Sequence, residues 1–248
     1  MIESGALDLT IVIPAYNEAL RLPRTLEALR AWSPAIVDNI TVLVVNDGST
    51  DSTTEVVKDY PFCTLIDLSR NFGKGYAVRE GMLAAETPLI LMMDADLATP
   101  LSEFDKLYAM ISQGYDIAIG SRPLVSSTLA VRQPILREGA GRVFNVLVRV
   151  ISGLPFYDTQ CGFKLWTNLS ARKTFHHCGI HGFAYDVESL HVATTLGFKI
   201  AETGVEWAHQ PGAAAFSSPL SYLFHARRML VDTLKVRWNH RALRRHSD

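Results

Sequence analysis

Long apolar segments are missing from this chain of 248 residues. A membrane-spanning helix needs roughly 18 or more predominantly apolar residues in a row, and no stretch supplies them, so we predict no transmembrane helix. The opening residues, MIESGALDLT, also lack the basic start and the apolar core of a secretory signal peptide. If the protein acts at a membrane, we expect it to be peripheral and on the cytoplasmic face.

Cysteine and net charge are low as well. Cys63, Cys161 and Cys178 show no CxxC pairing, and so small and odd a number is typical of a reducing compartment rather than of a disulfide framework. The 24 Lys and Arg residues nearly balance the 25 Asp and Glu residues, which leaves a net charge of −1. This balance argues against a general nucleic-acid binder, so we predict no nucleic-acid partner.

A regular alternation fills the first half of the chain. Short runs rich in Val, Ile and Leu, at 9–13, 41–45, 64–67, 89–93 and 117–119, alternate with stretches of helical period. The alternation predicts an α/β fold, a Rossmann-like and mostly parallel sheet with helices on both faces, whose ligands bind at the carboxyl ends of the strands. We predict one domain over residues 1–215 and a basic amphipathic segment over 216–248.

Two carboxylates directly follow the fourth predicted strand. Asp94 and Asp96 stand two residues apart, so both can approach one divalent cation. Mg²⁺ and Mn²⁺ prefer oxygen ligands and accept substrate phosphates in their remaining positions. Such an ion neutralises the charge that builds on a diphosphate leaving group. The pair therefore predicts a metal site, with a solvated acidic turn as the alternative.

The first predicted strand ends in IPAYNE. Pro14 fixes the backbone there, Tyr16 is a candidate to stack on a nucleotide base, and Glu18 is a candidate to accept hydrogen bonds from a base or ribose. Glu18 also suits a simpler role as a helix-start residue. The dinucleotide fingerprint GxGxxG, which would occupy this turn, is absent.

The next two strands are followed by NDGSTD and RNFGKG. Asp47 is a candidate to hold a nucleoside, Gly48 permits a close backbone approach, and Asp51 is predicted to cap the following helix. Lys74, between two glycines at a helix start, suits phosphate binding through backbone N–H groups and one positive charge. The longer spacing of a Walker loop is missing.

Candidates for acceptor binding come later in the chain. An arginine cluster follows the fifth strand: Arg122, Arg132, Arg137 and Arg142. Guanidinium groups match phosphate geometry, so the cluster predicts a site for an anionic acceptor, with a solvated basic face as the alternative. Gln160 and Asp186 stand among apolar residues, which is typical of substrate contact, and are candidates to hold sugar hydroxyls.

The C-terminal segment combines basic and apolar side chains. Its basic residues are Arg227, Arg228, Lys235, Arg237, Arg241, Arg244 and Arg245, and its apolar ones include Leu220, Leu223, Phe224, Leu230, Leu234 and Trp238. A basic amphipathic helix predicts an anchor on an anionic membrane surface, and residues 142–153 are a second candidate. The alternative is a helix packed on the domain with a solvated basic tail.

These motifs, in this order, resemble the family 2 glycosyltransferases with the GT-A fold, and among them the dolichyl-phosphate β-glucosyltransferases and their prokaryotic polyprenyl-phosphate relatives. The matching stretches are IVIPAYNE, VVNDGSTD, SRNFGKGYAVREGM, LMMDADLATP, IGSR, DTQCGFKLW and FAYDVE. The resemblance implies a metal-dependent, inverting transfer of glucose from UDP-glucose to a polyprenyl phosphate at a membrane surface. A mannosyltransferase that uses GDP-mannose and a family member with a hydroxyl acceptor are the alternatives.

The resemblance also implies roles for individual residues. The nucleoside pocket would be lined by Pro14, Tyr16, Glu18 and Asp47, with Lys74 near the diphosphate and Asp94 and Asp96 in the metal motif. Arg122 and Arg137 fall where the related dolichyl-phosphate mannose synthases bind the acceptor phosphate. Gly141 stands where those synthases carry a serine, which is a departure from their pattern.

The type of acceptor decides whether a general base is needed. A lipid phosphate is already ionised near neutral pH, so positioning and charge stabilisation suffice. A hydroxyl acceptor needs a base, and Asp186 is the candidate. Two other classes fit less well: a sugar-nucleotide pyrophosphorylase would carry a loop rich in glycine and arginine where this chain has PAYNE, and a non-catalytic binding module would not need the intact DAD and GKG motifs.

Overall fold

The computed structural model describes residues 7–124, 129–131, 146–208 and 219–241. Seven strands form the main sheet: β1 (Asp8–Ala15), β2 (Asn39–Asn46), β3 (Cys63–Asp67), β4 (Leu89–Met93), β5 (Ile117–Ser121), β7 (Phe163–Thr167) and β8 (Ile200–Gly204). The two short strands β6 (Leu129–Val131) and β9 (Trp207–Ala208) pair in parallel as a separate sheet. Each of the five predicted strands lies within an observed one.

The main sheet has the order β3-β2-β1-β4-β7-β5-β8. Its strands run parallel except β7, which is antiparallel to both of its neighbours, β4 and β5. The prediction of an α/β fold with a mostly parallel sheet is therefore confirmed. Because β7 is reversed, its first residues lie at the same edge of the sheet as the carboxyl ends of β1, β2 and β4.

Helices cover both faces of the sheet. They are α1 (Leu22–Ala31), α2 (Thr53–Lys58), α3 (Lys74–Ala84), α4 (Phe104–Ser112), α5 (146–152), α6 (Asn168–His177), α7 (Tyr185–Thr195) and α8 (Pro219–Asn239), with a 3₁₀ turn at Leu101–Glu103. The helix α6, which the sequence analysis did not predict, begins at an N-cap threonine, Thr167, whose side chain accepts a hydrogen bond from the N–H of Ser170.

Two apolar cores explain the unbroken hydrophobic strands. One lies between the sheet and α3, α6 and α7, and the other between the sheet and α1, α2 and α4. Along β1, Val12 belongs to the first core, whereas Ile11 and Ile13 belong to the second. Since both faces of the strand are covered, apolar residues are favoured at neighbouring positions such as 11–13, which produces runs rather than alternation.

The helix α8 packs against the first core. Met229, Thr233, Val236 and His240, which follow one another at helical spacing, are buried. Within the described residues, no helix combines the length and the apolar character needed to cross a bilayer. The predicted boundary at residue 215 lies outside the described residues, so the division into 1–215 and 216–248 stays a prediction.

Candidate active site

Charged side chains converge where β1, β2 and β4 end and β7 begins. The fourth strand delivers Asp94, and the backbone N–H of Asp94 donates to the carbonyl of Gly162 at 3.1 Å. A Cβ built on Gly162 would lie 2.0 Å from Asp94 Oδ2. Only glycine therefore leaves room for the Asp94 carboxylate beside the start of β7.

A single lysine lies against the first carboxylate. Lys74 Nζ donates to Asp94 Oδ1 at 2.5 Å, and it lies 5.9 Å from the centre of the Tyr185 ring. Burial would lower the pKa of Lys74, but Asp94 and Asp186 outweigh this effect and raise it, so the ammonium stays charged. Lys74 opens α3 directly after Gly73, whose φ of 108° is accessible mainly to glycine.

Asp96, the second carboxylate of the predicted metal pair, lies beside Arg21, which also pairs with Glu18. Arg21 donates through Nε to Glu18 Oε2 at 2.7 Å and through Nη2 to Glu18 Oε1, and its Nη1 lies 3.4 Å from Asp96 Oδ2. Burial and the charge of Asp94 raise the pKa of Asp96, and Arg21 opposes that rise. Burial likewise raises the pKa of Glu18 against its pairing with Arg21. Arg21 thus offsets part of the repulsion among three neighbouring carboxylates.

Asp47 is buried and holds a loop. Its Oδ1 accepts the N–H of Phe72 at 2.8 Å, and its Oδ2 accepts the N–H of Gly73 at 2.9 Å. Burial raises the pKa of Asp47, against these two hydrogen bonds. Both carboxylate oxygens thus have backbone partners in residues 72–75, here called the glycine–lysine loop. A direct contact of Asp47 with a nucleoside stays a prediction.

Close backbone approach at Gly48 is confirmed. Gly48 has a φ of 63°, and a Cβ there would lie 2.2 Å from the backbone carbon of Arg70. Asp51 accepts the N–H of Thr53, the first residue of α2, at 3.0 Å, and its other oxygen accepts the N–H of Ala19 at 3.1 Å. The N-cap position of α2 is Ser52, one residue after the predicted Asp51, and Asp51 also ties the turn after β1 to the turn after β2.

The remaining candidates for nucleoside contact frame the same edge. Pro14 lies in β1 opposite Val45, beyond the point where the ladder with β4 ends at Val12, so its missing N–H breaks no bond to β4. Tyr16 is partly exposed beside it. Their contact with a base stays a prediction.

Asp186 and Gln160 have protein partners. Asp186, at the start of α7, is buried and paired with Lys164 of β7, whose Nζ also donates to the carbonyl of Cys161 at 2.7 Å. Burial raises the pKa of Asp186, against the lowering effects of Lys164 and Lys74. Gln160 Nε2 lies 3.0 Å from Met229 Sδ of α8.

Arg122 is held by a buried carboxylate. Its Nε and Nη2 donate to Asp158 at 2.6 and 2.9 Å, and Asp158 is 0% exposed. Burial would raise the pKa of Asp158, but Arg122 outweighs this effect and lowers it. The N–H of Asp158 in turn donates to Glu202 of β8 at 2.7 Å. The other predicted arginines, Arg132, Arg137 and Arg142, and also Gly141, lie outside the described residues.

The sequence analysis missed three functional neighbours. Arg21 was hidden because its partners, Glu18 and Asp96, come from two different strand ends, although its spacing of three residues from Glu18 is a usable signal. Lys164 is a lysine inside an apolar strand, which signals a buried ion pair. The contact of Gly162 with Asp94 follows from the antiparallel pairing of β7 with β4, and this pairing was not predicted.

Comparison with known proteins places these features in a family. The model of the family described as Glycosyl transferase family 2 matches residues 10–178. A dolichyl-phosphate beta-glucosyltransferase of Drosophila melanogaster is 36% identical over 228 residues, covering 85% of this chain and 70% of that protein. One from Dictyostelium discoideum is 32% identical over 250 residues, covering 94% and 74%.

Solved structures share the fold at low identity. A glucosyl-3-phosphoglycerate synthase from Mycobacterium tuberculosis, in complex with Mn²⁺, UDP-glucose and phosphoglyceric acid, matches with a TM-score of 0.68. It is 18% identical, and the match covers 93% of this chain and 79% of that one.

Proposed function

Since this chain belongs to glycosyl transferase family 2 and has the GT-A fold, we propose that the enzyme moves glucose from UDP-glucose to a polyprenyl phosphate of the dolichyl type, with inversion at the sugar. That it is a glycosyltransferase follows from the family and from its relatives. Glucose and dolichyl phosphate both appear in the names of the relatives at 32–36% identity, which supports this donor sugar and this acceptor.

The observation that carries the proposal is the position of Lys74 and Asp94. A lysine at the start of a helix, 2.5 Å from a strand-end carboxylate, supports the proposal that a diphosphate and its counter-ion bind here. The N–H groups of Gly75 and Tyr76 already donate to the carbonyls of His181 and Gly73, but the positive end of the α3 dipole favours an anion at the same place. In our proposal, the Lys74 ammonium and this end of α3 receive the diphosphate of the donor.

A divalent cation fits the carboxylate pair. Burial and mutual repulsion raise the pKa of Asp96, and a hard cation relieves this repulsion. No three His, Cys, Asp or Glu side chains in the described ranges gather into a ready metal cage. Mg²⁺ or Mn²⁺ bound by Asp94 and Asp96 would therefore complete its ligands from water or the donor diphosphate, and would supply charge neutralisation to the leaving nucleotide.

The environment of Asp186 favours a phosphate acceptor over a hydroxyl. Its carboxylate pairs with the buried Lys164, and this contact works against the uptake of a proton from an acceptor. A phosphate oxygen is ionised near neutral pH and needs no base. Arg122 is fixed by Asp158 and retains a partly exposed side chain, so we propose that its outer face meets the acceptor phosphate, together with Arg132 and Arg137.

We propose that the acceptor reaches this site from a membrane surface on which α5 and α8 lie. Opposite the buried stripe of α8, Leu234 and Trp238 are 60% and 68% exposed, and Val150 of α5 is 72% exposed. These side chains line a groove of about 500 Å³ together with Ile151, Arg237 and Arg241. Exposed apolar side chains beside arginines suit the boundary between acyl chains and anionic headgroups.

Transfer of labelled sugar into a lipid phase tests the function. Purified protein would be mixed with polyprenyl phosphate and Mg²⁺ or Mn²⁺, with UDP-glucose and GDP-mannose in parallel. We expect label from UDP-glucose alone, and its loss on addition of EDTA. Label from GDP-mannose would keep the reaction class and replace the sugar. If nucleotide binds and neither donor labels lipid, the acceptor assignment is wrong, and a hydroxyl acceptor becomes the leading hypothesis.

A further inference from the structure

Glu188 is a buried carboxylate that the proposed chemistry does not use. It lies in the first turn of α7 and is 1% exposed. Its Oε2 accepts the backbone N–H groups of Gly179 at 3.0 Å and Ile180 at 2.7 Å. Its Oε1 lies 2.9 Å from His240 Nε2, at the C-terminal end of α8. The Nε2–H tautomer of the imidazole donates in this contact. One side chain thus joins α7, α8 and the segment that precedes α7.

That segment packs directly on the glycine–lysine loop. The N–H of Gly75 donates to the carbonyl of His181 at 2.7 Å, and the rings of His181 and Tyr76 meet edge to face with their centres 5.0 Å apart. A Cβ on Gly73 would lie 2.4 Å from the carbonyl oxygen of His181, and one on Gly75 would lie 2.3 Å from that of Ile180. The two backbones are in contact, so a shift of one displaces the other.

The glycine–lysine loop is therefore held by two buried acidic side chains. Asp47 holds it directly, through the N–H groups of Phe72 and Gly73. Glu188 holds it through residues 179–181. Between the two contacts lies Lys74, whose Nζ is 2.5 Å from Asp94. Any movement of residues 179–181 would therefore be passed to Lys74 and to the start of α3.

We propose that Glu188 is a positioning residue for donor binding, which sets the glycine–lysine loop through residues 179–181, and that His240 fixes Glu188 from α8. The inference rests on the proposed function, because it takes the diphosphate of the donor to bind at this loop. It couples α8, on which Leu234 and Trp238 face outward, to the affinity for nucleotide. A change at the end of α8 alters nucleotide binding without touching the nucleotide.

Calorimetric titration of UDP in the presence of Mn²⁺ tests the inference, with GDP in its place if the wild-type protein binds only GDP. For Glu188→Ala we expect a dissociation constant about tenfold higher, and for His240→Ala one about threefold higher. Glu188→Gln keeps an oxygen for the two N–H groups and offers an amide to His240, so we expect it to recover most of the affinity. His177→Ala, which replaces an exposed histidine of α6, is the matched control and should bind like wild type.

Thermal unfolding of each variant separates positioning from loss of fold. If Glu188→Ala does not fold, Glu188→Asp, which withdraws the carboxylate by one methylene group, replaces it with the same expected direction. Folded Glu188 and His240 variants with wild-type affinity would overturn the inference and leave the proposed function intact. Equal loss in Glu188→Gln and Glu188→Ala would also overturn it, because hydrogen bonding would then not be the cause. A wild-type protein that binds neither nucleotide would instead contradict the proposed function.

Discussion

Two regions of the molecule differ in the side chains that they present. One is the sheet edge where β1, β2 and β4 end, and the other is the outer face of α5 and α8. At the sheet edge, charged side chains are paired. Backbone hydrogen bonds also fix the position of a carboxylate there, as at Asp47, whose two oxygens each accept an N–H group. On the helical face, Val150, Leu234 and Trp238 project outward beside arginines. The first region depends on the positions of single atoms, whereas the second depends on area and charge. Single substitutions should therefore act steeply in the first region and gradually in the second.

The largest effect is expected for Asp96→Asn at the sheet edge. The change removes a carboxylate from the proposed cation site and one of the two acidic partners of Arg21, so we expect sugar transfer to fall by about 10³-fold. The initial rate of label entering the lipid phase measures this effect, and circular dichroism checks the fold. Asp105→Asn, on the exposed side of α4, is the matched control. Normal turnover by Asp96→Asn would contradict the proposal that Asp94 and Asp96 bind a divalent cation.

Asp158→Asn tests whether a single substitution also has a large effect at Arg122, which follows β5 and pairs with Asp158. The variant leaves the Arg122 guanidinium without its anionic partner, so we expect a loss of about 3–5 kcal/mol in the free energy of unfolding at pH 7. The lowered pKa of Asp158 means that this contribution is present above the ordinary carboxyl pKa and disappears as the pH falls through the folded value.

Urea denaturation at several pH values measures this contribution. The difference between wild type and Asp158→Asn should be greatest near neutral pH and shrink below about pH 4. Asp59→Asn, at an exposed carboxylate, should show no such loss. A difference that is independent of pH would mean that Asp158 contributes through packing alone.

Gly162→Ala sharpens the comparison without removing a charge. The added methyl group would lie 2.0 Å from Asp94 Oδ2, so the carboxylate must leave its present position, in which it accepts from Lys74. We expect transfer to fall by about 10²-fold, because displaced electrostatic groups lose most of their effect. Steady-state kinetics with a thermal unfolding control measures it. Unchanged activity in a folded variant would show that the position of Asp94 tolerates more freedom than the structure suggests.

The smallest effect is expected on the helical face. Leu234→Ala removes part of one exposed apolar side chain, and we expect binding to anionic vesicles to weaken only about three- to tenfold. Flotation with vesicles of phosphatidylserine and phosphatidylcholine measures this. Leu169→Ala, at an exposed leucine of α6, is the matched control. If vesicle binding weakened equally in the two variants, the proposal that the α5–α8 face contacts the membrane would be wrong.

Local patterns predicted the first half of the molecule. The strands β1 to β5 have continuous apolar runs, and Asp94 and Asp96 directly follow one of them, so neither the fold class nor the carboxylate pair required tertiary information. What the sequence did not reveal are partnerships between distant residues. Arg122 pairs with Asp158, Lys164 pairs with Asp186, and each pair joins elements whose adjacency depends on the position of β7.

The same limit applies to Asp47 and to α8. Asp47 was predicted to hold a nucleoside because it follows a strand, but its two hydrogen bonds run to residues 25 and 26 positions later. The amphipathic pattern of α8 allowed two interpretations: a helix that packs on the domain and a helix that contacts lipid. The structure shows a buried stripe with Val236 and an exposed stripe with Trp238 on one helix, and sequence periodicity does not say which stripe a membrane meets.

The reversed strand β7 has a consequence for how the chain folds during synthesis. It pairs with β4, Leu89 with Thr167 and Met93 with Phe163, so about 70 residues must leave the ribosome after β4 before that edge is covered. Until then, the apolar LILMM strand presents unpaired backbone groups, the kind of edge that recruits other chains. A nascent chain stalled before residue 163 would be prone to aggregation, whereas one released after 167 could close its central sheet.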